Sequence, residues 1–194
     1  MIDKTIGFAV CGSFCTHAKA MEALEAVKRT FTHVIPIVSE CTADTDTRFG
    51  AAHDFMREMM RICDHRVIQS ISEAEPIGPK KLLDLLIIAP CTGNTLGKLA
   101  AGITDTSVTM AAKAHLRNQR PLLIAPSTND GLTGSAANLG ALLNRKHIYF
   151  VPFGQDDPIQ KPASLVADFS KIPEAAQAAL TGVQLQPLLV THTK

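Results

Sequence analysis

The sequence contains no tryptophan and one tyrosine, and aromatic residues make up 5% of its 194 positions. So few aromatic side chains disfavour a surface on which nucleic-acid bases stack. The net charge is +1, and lysine and arginine are scattered rather than clustered, which also argues against a nucleic-acid partner. No apolar run approaches the roughly 18 residues that a membrane-spanning helix needs. The N-terminus enters a strand pattern directly, so no signal peptide is expected.

The five cysteines are odd in number, and no set of cysteine and histidine has the spacing of a zinc site. The pair Cys11 and Cys15 is interpreted as two small residues that flank a turn. We therefore expect reduced thiols, no metal and a cytoplasmic location.

What the chain does contain is a 46% hydrophobic composition in which strand and helix patterns alternate. This alternation predicts an α/β fold, namely an open, doubly wound parallel sheet in one domain over residues 1–180, followed by a tail at 181–194. From residue 152 the chain is rich in Pro, Asp and Lys, and no strand is predicted there. The predicted strands are residues 6–10, 34–38, 66–69, 85–89, 122–125 and 148–151. The predicted helices are residues 21–31, 51–62, 79–83, 96–103, 108–116, 136–143 and 174–180.

Two segments share one pattern: an apolar run, then Ala-Pro, then small polar side chains ending in Asn or Asp. Pro90 and Pro126 are expected to end buried parallel strands, because proline has no N–H for the ladder. The polar loops then lie at the carboxyl edge of the sheet, where ligands of open α/β sheets bind. Asn94 and Asn129 are expected to point into one crevice, or alternatively to close their own turns.

The turn after the first strand is Gly-Ser-Phe-Cys-Thr at residues 12–16, which is not the dinucleotide pattern Gly-x-Gly-x-x-Gly. Gly12 and Ser13 either begin a helix only or also bind an anion at its N-terminus. Ser39 ends the second strand and is either an ordinary polar loop residue or part of the same pocket. A phosphate is expected among Gly12, Ser13, Ser39 and Thr95.

Arg48 lies in the polar segment at residues 45–50. One interpretation is that this segment caps the next helix through Asp46 or Thr47. The other is that Arg48 binds a carboxylate, because guanidinium matches carboxylate with two parallel hydrogen bonds.

The segments at residues 90–95 and 100–105 resemble the Pro-Ala-Ser-x-Asn-Thr and Ala-x-Gly-Ile-x-Asp motifs of the homo-oligomeric flavin-containing cysteine decarboxylases. That superfamily includes phosphopantothenoylcysteine decarboxylase and flavin prenyltransferase. The resemblance covers roughly residues 5–150 and implies a Rossmann-like flavoprotein fold, FMN and trimer-based self-association. The residues then expected to contact the cofactor are Gly12, Ser13, Phe14, Ser39, Pro90, Cys91, Thr92, Asn94, Thr95, Ser127, Thr128 and Asn129.

The sequence departs from that superfamily at two positions. Pro76 falls near the place of the catalytic histidine. The loop at residues 125–129 lies where the superfamily has a Pro-x-Met-Asn motif, and Thr128 replaces its methionine. The histidines at positions 17, 33, 53, 65, 115 and 147 are interpreted as surface or capping residues. Decarboxylation by the superfamily's mechanism is therefore the third of three hypotheses.

Over nearly its full length the chain is similar to one branch of this superfamily, the B subunits of dipicolinate synthases from spore-forming bacteria. Residues 45–50, 75–84, 102–106 and 151–165 carry this similarity. It implies a role with a separate A subunit in oxidising dihydrodipicolinate to dipicolinate, in the mother cell during sporulation. Arg48 and Lys161 are the candidate ligands for the substrate's carboxylates, and the segment around Asp156 is expected to face the A subunit.

Two other hypotheses about the function rank above decarboxylation. The first is an FMN-dependent oxidoreductase subunit, although the catalytic base stays unassigned. The second is a non-catalytic partner subunit that keeps a vestigial phosphate pocket.

Overall fold

The computed structural model describes residues 1–191, and within them the predicted α/β fold is confirmed. The helices are α1 His17–Thr30, α2 Glu40–Asp44, α3 Ala52–Cys63, α4 Ile71–Ala74, α5 Gly93–Ala101, α6 Ser107–Leu116, α7 Ala136–Leu143 and α8 Ile172–Leu180. The strands are β1 Ile2–Val10, β2 Phe31–Val38, β3 Leu85–Cys91, β4 Leu122–Thr128, β5 Ile148–Phe150, β6 Phe153–Asp157 and β7 Lys161–Ala167.

Five strands form a parallel sheet in the order β2-β1-β3-β4-β5. The apolar runs of β1, β3 and β4 are buried on both faces because helices cover both sides of the sheet. Helices α1, α3 and α8 form one layer, and α4 to α7 form the other. The strand order reverses between β1 and β3, and a ligand site is expected at the carboxyl ends of strands at such a switch point.

The prediction that proline ends the two central strands is wrong. Strand β3 continues through Pro90 to Cys91, and β4 continues through Pro126 to Thr128. A proline lacks the N–H but keeps its carbonyl, and the Pro90 carbonyl accepts a hydrogen bond from the Cys11 N–H at 3.3 Å. The sheet therefore extends past each Ala-Pro pair.

Strands β6 and β7, which had not been predicted from the sequence, form an antiparallel hairpin. Strand β7 also pairs antiparallel with the last residues of β4, so the sheet is mixed rather than wholly parallel. The Asp157 carboxylate closes the hairpin turn by accepting hydrogen bonds from the N–H groups of Ile159 and Gln160, at 3.1 and 3.0 Å. This Asx-type turn explains why a Pro- and Asp-rich segment forms a hairpin.

Two further predictions of local structure are wrong. Residues 66–69 contribute one isolated bridge between Ile68 and Ile37, because the Ser70 side chain caps α4 by accepting from the Glu73 N–H. The helix predicted at residues 79–83 is absent, and α4 followed by a 3-10 turn lies just before it. Lys81 has a φ of 48°, a left-handed conformation that no helix can continue.

The described part of the predicted tail packs against the sheet. Gln184 accepts from the Phe150 N–H at 2.8 Å and donates to the Phe150 carbonyl at 2.7 Å. The N–H of Phe153 donates to the Leu188 carbonyl, and the Val190 N–H donates to the Phe153 carbonyl. Residues 192–194 of that tail lie outside the described residues.

His115 is not a surface or capping residue, because it is buried beneath the sheet. Its Nε2 donates to the carbonyl of Pro121 at 2.8 Å, and that carbonyl also accepts from the N–H of Leu86 at the start of β3. Burial lowers the pKa of His115 to about 4, so the imidazole is neutral near pH 7. His115 therefore joins β3 and β4 at the ends opposite to the polar loops.

Candidate functional site

A cavity of about 740 Å³ opens at the carboxyl ends of β1, β3 and β4. The β1–α1 turn and both Ala-Pro loops line it, and the β6–β7 hairpin and the segment at residues 45–50 complete its wall. The predicted site residues that line it are Gly12, Ser13, Phe14, Arg48, Thr92, Asn94, Ser127, Thr128, Asn129 and Lys161. The two loops and the two candidate cations therefore share one cavity.

The other four predicted residues lie behind the cavity wall. Pro90 and Cys91 are buried within β3. The hydroxyl of Thr95 is buried and donates to the Cys11 Sγ at 3.3 Å. Ser39 caps α2, where its Oγ accepts from the Thr42 N–H at 3.3 Å and lies 3.0 Å from the Thr42 hydroxyl. The structure thus brings Gly12 and Ser13 to the cavity, but Ser39 and Thr95 support the wall from behind.

Hydroxyl groups connect the first turn to the end of β4. The Oγ atoms of Ser13 and Ser127 are 2.9 Å apart. The Thr16 hydroxyl donates to the Ser13 carbonyl at 2.8 Å and lies 3.5 Å from the Ser127 hydroxyl. These groups can turn their protons towards an acceptor, so they suit an anion that needs several donors.

Two helices begin at this cavity. Helix α1 starts after Thr16, and α5 starts after Thr92, whose Oγ1 caps the helix by accepting from the Thr95 N–H at 3.2 Å. Neither helix has an acidic residue in its first turn. The positive ends of both macrodipoles therefore remain available to a negatively charged ligand.

The two Ala-Pro loops are fitted tightly together at Gly93, a contact that had not been predicted from the sequence. A Cβ added to Gly93 would lie 2.5 Å from the Ser135 Oγ, 2.6 Å from the Thr128 Oγ1 and 2.7 Å from the Asp130 Oδ1. These three side chains form a cluster in which Asp130 Oδ1 accepts from the hydroxyls of Thr128, at 2.5 Å, and Ser135, at 2.9 Å. The sequence signal that could have indicated this contact is the glycine between Thr92 and Asn94.

The carboxylate of Asp130 also lines the cavity and had not been predicted as a site residue. The hydrogen bond from Thr128 lowers the pKa of Asp130, with a second contribution from Ser135. Asp130 is therefore ionised at neutral pH, and its charge is held by hydroxyl groups.

Arg48 lies at the tip of a two-residue turn. The Thr47 N–H donates to the Gly50 carbonyl at 3.0 Å, and the Gly50 N–H donates to the Thr47 carbonyl at 3.1 Å. The guanidinium carbon lies 4.9 Å from the centre of the Phe49 ring, and both residues line the cavity. Asp46 does contribute at the start of α3, where its Oδ1 accepts from the Ala52 N–H at 2.9 Å. The capping interpretation thus applies to Asp46, and it leaves Arg48 exposed on the cavity wall.

Lys161 begins β7, on the opposite strand of the hairpin from Asp156, and both residues line the cavity. The Lys161 Nζ lies 2.7 Å from the Asp156 Oδ2. This hydrogen bond raises the pKa of Lys161, so the ammonium group stays protonated at neutral pH. Asp156, which was expected to face a partner subunit, thus contributes to the cavity.

The thiols beneath the cavity are poor nucleophiles. Burial raises the pKa of Cys11 to about 11, and burial also raises the pKa of Cys91 well above its ordinary value. None of the five cysteines, all of which the structure describes, forms a disulfide.

No histidine lines the cavity in the described part of the chain. His17 is half-buried nearby rather than on the surface, and its Nε2 donates to the Cys11 carbonyl at 2.9 Å. Its ring stacks on Phe55 with centroids 4.5 Å apart, and burial lowers its pKa. Pro76, near the place of the superfamily's catalytic histidine, lies in a 3-10 turn and does not line the cavity.

Two classes of site do not occur among residues 1–191. No helix there combines the length and the apolar character that a membrane crossing requires. The same residues contain no group of three or more histidine, cysteine, aspartate or glutamate side chains arranged to hold a metal ion.

The fold and the cavity define a flavoprotein-type α/β domain, and comparison with known proteins agrees. The flavoprotein family matches residues 3–163, so the chain belongs to that family. Within it, the chain is 43% identical to the B subunit of dipicolinate synthase from Bacillus subtilis (strain 168), over 97% of this chain and 94% of that protein. The predicted resemblance to this branch is therefore confirmed.

Solved structures support the same placement. The crystal structure of the B subunit of dipicolinate synthase from Bacillus halodurans C is 41% identical and superposes with a TM-score of 0.91, covering 99% of this chain and 98% of the other. A dodecameric FMN-dependent UbiX-like decarboxylase from Escherichia coli O157:H7 is 21% identical, with a TM-score of 0.58 over 72% of this chain and 75% of the other. The second similarity shows a shared fold only.

Proposed function

We propose that this chain acts with an A-type subunit in the oxidation of dihydrodipicolinate to dipicolinate, through an FMN-type pocket. One observation carries the proposal. A single cavity has hydroxyl groups and two helix N-termini on one side, and the exposed cations Arg48 and Lys161 on another. Such a cavity offers donors to a phosphate and opposite charges to a small dicarboxylate. The similarity to B subunits of dipicolinate synthases supports this choice of substrate.

The donor set fits a phosphate-bearing flavin. The volume of about 740 Å³ lies within the range of roughly 300–1,000 Å³ that is typical of cofactor pockets. Gly12 and Ser13 would hold the phosphate at the start of α1, with the Ser127 hydroxyl beside Ser13. Asn94 and Asn129 are exposed on the wall and offer amide donors and acceptors to a ring edge. When bound, a flavin supplies a two-electron acceptor.

The chain's own residues would bind and orient the substrate. Dihydrodipicolinate becomes aromatic by losing a hydride and a proton, so the protein must chiefly hold the ring in place and exclude competing reactions. The planar guanidinium of Arg48 suits one carboxylate with two parallel hydrogen bonds, and Lys161 offers a point charge to the other.

A non-catalytic subunit is the second candidate function, and one observation favours it. No histidine lines the cavity in the described residues, and the buried thiols of Cys11 and Cys91 stay protonated. The carboxylates that line the cavity, Asp130 and Asp156, are already engaged by hydroxyl groups and by Lys161, which makes them weak bases. In this case the A subunit would perform the oxidation, and this chain would bind substrate or support the complex.

The first experiment measures FMN binding by the purified chain, and then dihydrodipicolinate oxidation with and without the A subunit. In Ser13→Asp a carboxylate would repel the phosphate, so we expect FMN binding to be lost. The control is Ser72→Asp, which adds the same charge at an exposed position outside the cavity. Unchanged FMN affinity in Ser13→Asp would exclude this placement of the phosphate. Full synthase activity without any FMN would favour the non-catalytic subunit.

The second experiment tests Arg48. Replacing Arg48 with Ala should raise the KM for dihydrodipicolinate, and it should leave association with the A subunit intact. The control is Arg57→Ala, because Arg57 is an exposed arginine on α3 whose partner is Asp54, at 2.8 Å. An unchanged KM in Arg48→Ala would remove Arg48 from the substrate site.

The hairpin tip is the proposed contact with the A subunit. Ile159 at this tip is an apolar side chain that is 80% exposed, so it is available to pack against a partner. Ile159→Glu should therefore weaken co-purification with the A subunit while FMN binding is retained. Equal co-purification of this variant and wild type would exclude the tip as the contact.

Self-association is also proposed, in trimer-based assemblies. Helix α7 exposes Ala136, Ala137, Gly140, Ala141 and Leu143 on its outer face, so this face is apolar. An FMN-dependent enzyme with the same fold is dodecameric. Sedimentation velocity should give a mass above that of the 20.8 kDa chain, and a monomer at micromolar concentration would contradict the proposal.

A further inference from the structure

The ion pair of Asp156 and Lys161 lies inside the proposed substrate cavity rather than on an unrelated surface. The carboxylate oxygen and the ammonium nitrogen are 2.7 Å apart, and the side chains are 38% and 60% exposed. At such exposure, water screens the attraction, so an ion pair of this type contributes little to stability. Another carboxylate can therefore replace Asp156 at Lys161 at small cost.

The hairpin holds both partners in place. The Asp157 carboxylate closes the turn between them through the N–H groups of Ile159 and Gln160. The Gln155 side chain donates to the Pro162 carbonyl at 2.9 Å. This hydrogen bond joins the two strands on the side of the ion pair that is away from the turn. Asp156 and Lys161 thus face the cavity from a closed hairpin and not from a loose tail.

We propose that Asp156 competes with the second carboxylate of a dicarboxylate ligand for Lys161, and so acts on the ligand through that lysine. The inference rests on the proposed function and adds a reason why the site would distinguish ligands with two carboxylates from ligands with one. A ligand with one carboxylate can bind at Arg48 and leave the ion pair intact. A ligand with two must displace Asp156, whose negative charge then remains beside the bound anion and favours release of the product.

The test uses calorimetric titration of the full chain with two probes, pyridine-2,6-dicarboxylate and pyridine-2-carboxylate. Asp156→Asn keeps the shape and removes the charge, and it should bind the dicarboxylate about two to five times more tightly. Its affinity for the monocarboxylate should change less than that. Lys161→Gln should weaken dicarboxylate binding, and Asp156→Asn should have a smaller effect in the Lys161→Gln background.

Asp105→Asn is the matched control. The Asp105 carboxylate is also exposed and lies 2.8 Å from a lysine, Lys98, but it does not line the cavity. The control should leave both affinities unchanged, which separates local competition from a change in net charge. In the assembled synthase, Asp156→Asn should lower the KM for dihydrodipicolinate without raising kcat, whereas a merely structural role would not lower KM.

The outcomes separate this inference from the proposed function. If wild type binds the dicarboxylate and Asp156→Asn binds it equally or more weakly, the inference is wrong and the proposed function stands. If Asp156→Asn raises the affinity for both probes equally, Asp156 does not distinguish a dicarboxylate from a monocarboxylate, and that part of the inference is wrong. If neither wild type nor any variant binds the dicarboxylate, with or without the A subunit, the proposed substrate site is wrong and the inference fails with it.

Discussion

The two Ala-Pro segments begin alike and end differently. After Pro90 the strand runs one residue further, and Thr92 then caps α5. After Pro126 the strand continues to Thr128, because β7 pairs with Ser127 and Thr128 on the antiparallel side. Similar local sequences thus give a direct strand-to-helix junction in one case and an extended strand in the other. The proline thus ends neither strand: the start of α5 ends β3, and pairing with the distant strand β7 extends β4.

The two loops also contribute different chemistry to the cavity. The first presents the N-terminus of α5, with no acidic residue in its first turn. The second presents the carboxylate of Asp130, held by the hydroxyls of Thr128 and Ser135. One side of the cavity is therefore attractive to anions and the other carries a fixed negative charge. The contact at Gly93 keeps the two loops at a constant distance.

The largest expected effect follows from breaking that contact. Gly93→Ala places a Cβ within 2.5–2.7 Å of three polar side-chain atoms of the second loop, so these side chains must move and their hydrogen bonds are disturbed. Overpacking of this kind costs about 1–3 kcal/mol, and disrupting the Asp130 hydrogen bonds adds to it, so we expect a loss of about 3 kcal/mol. Urea unfolding measures this loss, and FMN binding should weaken in the same variant.

Gly97→Ala is the matched control on the same helix. A Cβ at Gly97 would meet only the Asn138 Nδ2, at 3.4 Å. Alanine is the better helix former by up to about 1 kcal/mol, so this variant should be as stable as wild type or more stable. Equal destabilisation by both substitutions would mean that the loop contact does not matter.

A second effect, of about 2 kcal/mol, is expected at the opposite ends of the same strands. Burial lowers the pKa of His115 to about 4, so protons bind the unfolded chain more tightly than the folded one. The contribution of neutral His115 to stability is therefore complete above the unfolded pKa of about 6.5 and is lost as the pH falls towards 4. Between pH 7 and pH 5 the free energy of unfolding should fall by about 2 kcal/mol through this residue.

His115→Gln separates this effect from the titration of carboxylates. The glutamine amide can still donate to the Pro121 carbonyl but cannot titrate. Although the variant is expected to be less stable at pH 7, its loss between pH 7 and pH 5 should be smaller than that of wild type. An identical pH dependence in both proteins would show that His115 is not the group responsible.

The sequence was sufficient for those parts of the molecule that depend on local pattern. Continuous apolar runs predicted β3 and β4, and helical spacing predicted α3 and α7, because burial on one or both faces imposes those patterns. The location of the two loops in one cavity followed from the parallel sheet. The hairpin, the path beyond each proline and the burial of His115 depend on contacts with distant residues. The pattern of residue types along the sequence does not show which distant residues come into contact.

The candidate site likewise contains residues that local pattern predicted and residues that it did not. Gly12, Ser13, Asn94 and Asn129 could be assigned from their place at strand ends, and the structure does bring them to one cavity. Ser39 satisfied the same local rule, but its side chain is used in capping α2. Asp130 and Asp156 were not assigned to the site, because their importance arises from the cluster at Gly93 and from the hairpin.

The third expected effect compares the hydrogen bonds that support each loop. Thr92→Ala removes the cap of α5, and Ser164→Ala removes the bond of 3.2 Å to the Thr128 carbonyl. Loss of an N-cap costs about 1 kcal/mol, and loss of one neutral hydrogen bond costs about 0.5–1.5 kcal/mol. Thermal unfolding of both variants should therefore show similar small losses. A loss above about 3 kcal/mol in either would mean that the loop has further support.

The smallest effect on stability is expected at the two asparagines on the cavity wall, both of which are exposed: Asn94 in the first turn of α5 and Asn129 just after β4. Asn94→Ala and Asn129→Ala should each change the free energy of unfolding by less than about 0.5 kcal/mol, as exposed substitutions usually do. If Asn94 contacts the cofactor, its loss should weaken FMN binding by about three- to tenfold, the value of one hydrogen bond, and Asn129→Ala should weaken it less. Fluorescence titration with FMN measures both. The alternative, that each amide closes its own turn, predicts the reverse: reduced stability with FMN affinity unchanged.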